Sequence, residues 1–153
     1  MDELEGLTLG LACMSQQIYD LALRYLGVAE TPGQQSNPLI AEMFKTAPSW
    51  LDQDDSKTAW CGIFRGYLGL WCGTGVPKEH YRARKWLEWG QEVKLKDAKR
   101  GDTVVTSRDG GHHVALFDRL EGGRVYLLGG NQGNRVSIAP FPPSVIQGVR
   151  REA

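Results

Sequence analysis

The sequence predicts a single α+β domain in which N-terminal helices pack on a C-terminal antiparallel sheet of about five strands. Apolar residues recur at spacings of three and four in the first ninety residues, whereas short β-type runs separated by glycine turns follow residue 100. The 153 residues, 41% of them hydrophobic, suffice for one core, and no low-complexity linker divides them. We therefore predict one domain over 1–153, with 1–13 as a flexible or accessory N-terminal segment.

Four helices are expected before the sheet. The first covers 14–26, and the second covers 38–45, with Asn37 as its N-cap and a proline in its first turn. The third begins near Cys61, after the acidic loop PSWLDQDDSK, and Thr58 is expected to cap it. The segment HYRARKWLEWG is expected to form a short fourth helix.

The third helix has two different sides. One side carries large or sulfur-containing residues, namely Cys61, Phe64, Leu68, Trp71 and Cys72. Another side carries glycines at helical spacing, namely Gly62, Gly66, Gly69 and Gly73. A glycine inside a helix costs about 0.5 to 1 kcal/mol relative to alanine. The glycine side therefore predicts that a neighbouring element approaches the helix closely.

The strands are expected after residue 100, in the runs TVVTS, HHVALFD, RVYLLGG, RVSIAPF and SVIQGVR. Glycine-containing turns between such runs are typical of antiparallel connections. Helices first and strands second is the order of an α+β domain.

The overall charge favours no class of charged macromolecular partner. Because 18 basic and 18 acidic residues cancel, the composition points to no nucleic-acid partner, and no apolar run reaches the ~20 residues of a membrane span. Residues 1–55 carry 2 basic and 9 acidic side chains, and residues 56–153 carry 16 and 9. Either these halves dock against each other or the first presents an acidic face to solvent. We expect a monomer without cofactor.

The three cysteines form no CxxC pair and no even-numbered framework, so we expect no disulfide network. A zinc site that uses both Cys61 and Cys72 is a poor fit, since eleven helical residues separate them by ~16 Å. Two interpretations of Cys61 remain open. It is a small apolar residue at the start of a buried face, or it is a nucleophile whose thiolate the helix N-terminus stabilises.

A general base for Cys61 would come from the strand GHHVALFD. Adjacent strand residues point to opposite faces, so at most one of His112 and His113 can face a cysteine docked on the sheet, and alternation alone does not choose between them. A third group must orient the histidine. Asn131, after two glycines in LLGGNQGN, suits that role better than Asp118, which points to the other face some 16 Å along the histidine strand. A turn-forming asparagine is the alternative.

Five motifs occur in an order that resembles the papain-like peptidoglycan hydrolases of the CHAP and NlpC/P60 superfamily, and more narrowly a small phage and bacterial family within it. They are GVAETPGQQSNPLI, DDSKTAWCGIF, WLEWG, HHVALF and LLGGNQ, and the resemblance covers about residues 24–150. The glycine-rich segment after the cysteine, with Arg65 within it, and His112 before the histidine motif depart from the family pattern.

The resemblance implies a catalytic triad of Cys61 as nucleophile, His113 as base and Asn131 as orienting group. It also implies a peptidoglycan substrate, and a cysteine amidase or endopeptidase activity on a stem peptide or cross-link. We expect the substrate cleft to include Trp60, Asp55, Trp86, Gln132 and His112. The alternatives are that the tryptophans are core residues and that the aspartate belongs to an ordinary acidic capping loop.

The expected setting is the bacterial cell wall. Acidic residues stand at the start of the chain, where a secretory signal carries basic ones. We therefore expect synthesis in the cytoplasm and release through a pore or a secretion machine, as a phage lysin or an antibacterial effector. Two other function classes stay open: a non-catalytic wall-binding or assembly module of the same fold, and a papain-like deamidase or transferase acting on proteins.

Overall fold

The sheet of this protein is antiparallel, and its strand order is β1-β6-β2-β3-β4-β5. The computed structural model describes residues 15–31, 37–52 and 59–153. The strands are β1 (Gln91–Val93), β2 (Thr103–Arg108), β3 (Gly111–Glu121), β4 (Arg124–Gly129), β5 (Ser137–Phe141) and β6 (Ile146–Arg151). The described helices are α1 (described over 15–23), α2 (Pro38–Phe44) and α3 (Cys61–Cys72), with 3-10 helices at Ala83–Glu88, Leu95–Asp97 and Pro143–Val145.

The predicted α+β class, with helices before strands, is confirmed. The sheet has six strands because three residues after the fourth predicted helix pair with β6 as a short edge strand. That predicted fourth helix is the 3-10 helix Ala83–Glu88. None of the described helices is long and apolar enough to span a membrane.

The starts of α2 and α3 differ in how they are capped. The side chain of Asn37 accepts a hydrogen bond from the Leu39 amide, as its position before a proline predicted. Trp60 is the N-cap residue of α3, and its side chain makes no capping hydrogen bond. Thr58, the expected cap, lies outside the described residues. Cys61 lies in the first turn of α3, as expected.

The two faces of the sheet carry separate cores. Leu116 and Leu128 pack with all three helices in the larger core, and Val105 and Val114 pack with Cys61 and the 3-10 helix around Trp86. The opposite face of the sheet holds a third core, made of Val104, Ala115, Phe117, Val125, Leu127 and Val149. Since α3 contributes to both cores on the first face, it is the element that places the cysteine against the sheet.

The glycine side of α3 lies against the segment around His80. A Cβ atom on Gly62 would stand 2.7 Å from the His80 carbonyl oxygen, and one on Gly66 would stand 2.1 Å from the His80 ring. The His80 ring is buried and lies 3.0 Å from the Thr46 hydroxyl, so it has little freedom to move away. Close approach of a neighbouring element is thus confirmed at Gly62, at Gly66 and at Gly69, which lies against the Gly75 carbonyl oxygen. It is wrong for Gly73, which is the C-cap of α3 with a φ of 69° and where a Cβ atom would meet nothing within 4 Å.

The side of α3 that carries the large residues is buried over only part of its length. The buried residues of α3 end at Gly69, and Trp71 is 68% exposed. Cys72 is half-buried and packs against the larger core. In the last turn of the helix, Cys72 therefore still contacts the core, whereas Trp71 faces solvent.

We predict that Gly66→Ala lowers the stability of the fold. Alanine normally stabilises a helix interior by about 0.5 to 1 kcal/mol, but here its methyl group overlaps the His80 ring, and overpacking costs about 1–3 kcal/mol. Urea unfolding measures the difference. Leu70→Ala, on the exposed side of the same helix, is the control and should change stability by less than about 0.5 kcal/mol. An unchanged or raised free energy of unfolding for Gly66→Ala would contradict the packing argument.

Candidate active site

The candidate site forms where β3 has a neighbour on one side only. Strand β2 pairs with β3 along 111–116, whereas β4 begins to pair with β3 only at Leu116. Cys61, at the start of α3, packs against Val114, whose backbone N–H favours the thiolate and helps to lower the pKa of the thiol. The open edge of β3 therefore receives the helix N-terminus.

His113 lies on this open half of β3 and is held by Gln132. Its Nε2 atom lies 2.9 Å from Gln132 Oε1, and its ring stacks on that of Phe141 with the centroids 5.8 Å apart. The Gln132 amide nitrogen donates to the carbonyl oxygens of Leu127 (3.1 Å) and Ser137 (2.8 Å). Both rings and the amide are thus fixed by several contacts.

The contacts of Gln132 determine the tautomer of His113. Because two carbonyl oxygens require the Gln132 nitrogen as donor, its oxygen must face the imidazole, and only a protonated Nε2 can donate to it. The neutral ring therefore carries its lone pair on Nδ1. That atom is buried and has no regular hydrogen-bond partner among the described residues. It is the atom available to take a proton from a thiol.

Cys61 and His113 favour each other's charged forms. Burial opposes ionisation of Cys61, but hydrogen bonding and charge from His113, the Val114 N–H and the charge of Arg108 outweigh it and lower the pKa of the thiol. Burial alone would lower the pKa of His113; the interactions with Cys61 and with Gln132 outweigh it and raise that pKa, against the charge of Arg108. The pair is therefore predisposed to a thiolate and an imidazolium.

A cleft of about 420 Å³ opens beside His113. Its walls come from the end of β2, the loop after β4 and strand β5, and they include Arg108, Asn131, Gln132 and Phe141. This volume is in the range of small-molecule and peptide sites. The cleft gives a substrate access to the histidine side of the pair.

The hydrogen bond that was expected from Asn131 comes instead from its neighbour Gln132. Asn131 lines the cleft but has a backbone φ of 58°, a left-handed conformation that asparagine tolerates well. This turn brings the side chain of the next residue, Gln132, to the His113 ring. The structure therefore favours Gln132 over Asn131 as the orienting group.

The tryptophans expected to line the cleft are core residues in the structure. Trp60 is fully buried and donates from its indole nitrogen to Glu30, 3.0 Å away. Trp86 is also fully buried and donates to the His80 carbonyl oxygen. Neither ring offers a face to solvent, so the expectation of substrate platforms is corrected. His112 is half-buried outside the cleft lining, and Asp55 lies outside the described residues.

The two glycines of LLGGNQ are each required by a different close contact. A Cβ atom on Gly129 would stand 2.6 Å from the Gln132 side-chain oxygen, and one on Gly130 would stand 2.7 Å from the Trp60 ring. The first glycine therefore makes room for the amide that orients the histidine, and the second makes room for the residue before the cysteine. This pairing of small residue and amide was a signal for Gln132 that sequence reasoning did not use.

Comparisons with solved structures identify the fold. The chain superposes on the peptidoglycan hydrolase RipB of Mycobacterium tuberculosis with a TM-score of 0.60 and 18% identity, covering 94% of this chain and 66% of RipB. It superposes on the P60 domain of an antigen from Mycobacterium avium subspecies paratuberculosis with a TM-score of 0.58 and 18% identity, covering 90% and 93%.

A third similar structure is described differently. RipD of Mycobacterium tuberculosis, a non-catalytic NlpC/P60 domain protein adapted to peptidoglycan binding, matches with a TM-score of 0.50 and 16% identity over 89% of this chain and 94% of RipD. No protein-family model and no curated protein matches the sequence. The fold is thus that of NlpC/P60 domains, and the chain spans just under two thirds of the length of RipB.

We predict that Cys61 reacts with iodoacetamide well below the ~8.5 pKa of a free thiol, because its own pKa is lowered. Burial raises the pKa of Cys72, against the charge of Arg65, so Cys72 should react only at higher pH. Cleavage at Lys57, Arg65 and Lys78 by trypsin puts the two cysteines on different peptides, so mass spectrometry follows each separately.

His113→Asn is the control for access in that experiment. It should remove the low-pH alkylation of Cys61 while alkylation at high pH persists, because the thiol stays reachable but loses its cationic partner. Equal pH dependence of Cys61 and Cys72 in the wild type would contradict the proposed ion pair.

We predict that Gln132→Met moves the alkylation midpoint of Cys61 to higher pH. Methionine has a similar length but accepts no strong hydrogen bond, so the raised pKa of His113 falls and the imidazolium that stabilises the thiolate is lost. Asn131→Gly is the matched control, since glycine tolerates the same φ, and it should leave the midpoint unchanged. A larger shift for Asn131→Gly than for Gln132→Met would return the orienting role to Asn131.

Proposed function

We propose that this protein is a cysteine amidase or endopeptidase that hydrolyses an amide bond in the peptides of bacterial peptidoglycan. The observation that carries the proposal is that Gln132 fixes the tautomer of a buried histidine, His113, and leaves its lone pair on Nδ1, while His113 in turn lowers the pKa of the Cys61 thiol. A purely structural cysteine does not need a histidine whose tautomer is fixed by three hydrogen bonds. The NlpC/P60 fold, shared with a peptidoglycan hydrolase, supports this substrate class.

The reaction proceeds through an acyl-enzyme. The Cys61 thiolate attacks the amide carbonyl carbon, and the carbonyl oxygen becomes an oxyanion near the backbone N–H groups at the start of α3. His113 gives its Nδ1 proton to the departing amine as the carbon–nitrogen bond breaks. His113 then takes a proton from water, whose oxygen attacks the thioester carbon, and the carbon–sulfur bond breaks to restore the thiolate beside the imidazolium. The acid product loses its proton to solvent and leaves as a carboxylate.

The two pKa shifts determine the direction of the pH dependence. Activity rises as pH passes the lowered pKa of Cys61, because the thiolate forms, and it falls as pH passes the raised pKa of His113, because the amine loses its proton donor. We therefore expect a bell-shaped plot of activity against pH. Its acidic limb should lie below the pKa of a free cysteine, and its basic limb should lie above the pKa of a free histidine.

Arg108 suits a substrate with a carboxylate near the scissile bond. It lines the cleft beside His113, and its charge acts on both members of the pair. Stem peptides carry free carboxylates, which is the chemistry this side chain would recognise. The proposal extends to a role in wall degradation by a phage lysin or a secreted antibacterial effector, as the motif order suggests.

A wall-binding module without catalysis is the second candidate, because RipD shows the same fold and is described as non-catalytic. It predicts an unreactive Cys61 and retention of the protein on wall material without release of new amino groups.

Digestion of purified peptidoglycan tests the proposal. Wild-type protein should release free amino groups and reduce the turbidity of a wall suspension, and Cys61→Ala should abolish both, because it removes the nucleophile that forms the thioester. Cys72→Ala, a half-buried cysteine at the far end of α3, is the control and should retain activity. Mass spectrometry of the fragments identifies the bond. Equal lysis by Cys61→Ala and wild type would refute the mechanism, and wall binding without lysis by the wild type would favour the second candidate.

A further inference from the structure

A second cavity, of about 390 Å³, lies behind the cysteine-bearing helix. It lies between α1, α3, the loop before β2 and the end of β6, and it shares no lining residue with the cleft beside His113. Arg65, one turn after Cys61 on α3, forms part of its wall. The cavity is therefore separate from the site that would carry the hydrolysis.

Arg65 is a buried cation with unused donors. Its side chain is 1% exposed, its Nε atom donates to the Thr103 hydroxyl at 2.9 Å, and its guanidinium carbon lies 4.4 Å from the centroid of the Trp86 ring and 5.1 Å from that of Trp89. Both terminal nitrogens, Nη1 and Nη2, are buried and have no hydrogen-bond partner among the described residues. These contacts hold the guanidinium still, while the two terminal nitrogens, which together can bind a carboxylate bidentately, have no hydrogen-bond acceptor among the described residues.

The cost of this arrangement indicates a missing partner. Burial lowers the pKa of Arg65 to about 9, although the charges of Cys72 and Glu152 act in the opposite direction. The group stays cationic at neutral pH, and a buried charge that no anionic group pairs with is unfavourable, even with the hydrogen bond to Thr103. An anionic group in the cavity would remove that cost.

Glu152, on the same cavity wall, has an acceptor oxygen without a hydrogen-bond donor in the described part of the chain. Its Oε2 atom is buried and has no hydrogen-bond donor among the described residues, and no ion pair there joins it to Arg65. Its charge nevertheless acts on Arg65, so the two groups are near each other. The cavity thus offers two unused donors and one unused acceptor of opposite charge.

The other arginines on the wall are already engaged. Arg151 pairs with Asp102, Arg100 pairs with Asp118, and Arg150 donates to the carbonyl oxygens of Trp89 and Gly90. Lys99 adds a further positive charge to the lining. A ligand therefore finds Arg65 as its free bidentate donor and Glu152 as its free acceptor.

We propose that this cavity binds a small zwitterion, a free amino acid or a short peptide, with its carboxylate on Arg65 and its ammonium group on Glu152. A simple anion would meet the repulsion of Glu152, and a simple cation would meet that of Arg65 and its basic neighbours. A molecule with both charges satisfies all three unused groups at once. The volume accommodates a dipeptide, and the fixed guanidinium limits the entropy lost on binding.

Isothermal titration of the full chain with glycylglycine tests the proposal. N-acetylglycine, which lacks the ammonium group, and glycinamide, which lacks the carboxylate, are the matched half-ligands. We expect saturable binding of glycylglycine below about 10 mM and at least about tenfold weaker binding of each half-ligand. The amide signals of Gly101 and Trp89, which line the cavity, should shift in nuclear magnetic resonance spectra.

Two variants assign the binding to this cavity. Arg65→Met should weaken glycylglycine binding at least about thirtyfold, and Glu152→Gln, at a partly exposed position that does not threaten folding, at least about tenfold. Glu42→Gln, an exposed carboxylate on α2, should bind as the wild type does. Equal binding of N-acetylglycine and glycylglycine, equal binding by wild type and Glu152→Gln, or no binding by the wild type would each overturn the proposal. Because the readout is binding, these outcomes are independent of whether Cys61 is catalytic.

Discussion

The close contact between the glycine side of α3 and the segment around His80 is the constraint on which the site depends. Gly62 lies against the backbone at His80, and Gly66 lies against the His80 ring. This approach positions α3 so that its first turn meets the open edge of β3. Helix stability is reduced at each glycine, and the packing that the missing side chains permit compensates for it.

The site forms because β2 and β4 pair with different lengths of β3. Because β4 pairs with β3 only from Leu116 onwards, the backbone N–H of Val114 remains available to the Cys61 sulfur. The chain after β4 turns at Asn131 and returns Gln132 to the same edge, where its amide is held by two carbonyl oxygens. Nucleophile, base and orienting group thus come from three elements that meet only at this gap in the sheet.

The helix α3 also connects two chemically different regions. Its first residue faces the candidate active site, and Arg65 one turn later faces a cavity with unused charged groups. The glycine-rich segment of α3 therefore separates the two regions. Its glycine side packs against the segment around His80, and another side carries the buried cation Arg65.

Sequence alone determined the class of the fold, the capping of α2 by Asn37 and the close approach at the glycines inside α3, since these rest on local spacing and residue chemistry. The order of the five motifs, and not local spacing, selected Cys61 as candidate nucleophile. Sequence could not identify Gln132 as the group that holds His113, because the answer depends on a left-handed turn and on carbonyl oxygens of β4 and β5 that are distant until the sheet forms. It could not foresee that Trp60 and Trp86 are buried, since aromatic residues suit a core and a cleft equally well. Nor could it predict the second cavity, because Arg65 and Glu152 are far apart in the chain and only tertiary packing brings them to one wall.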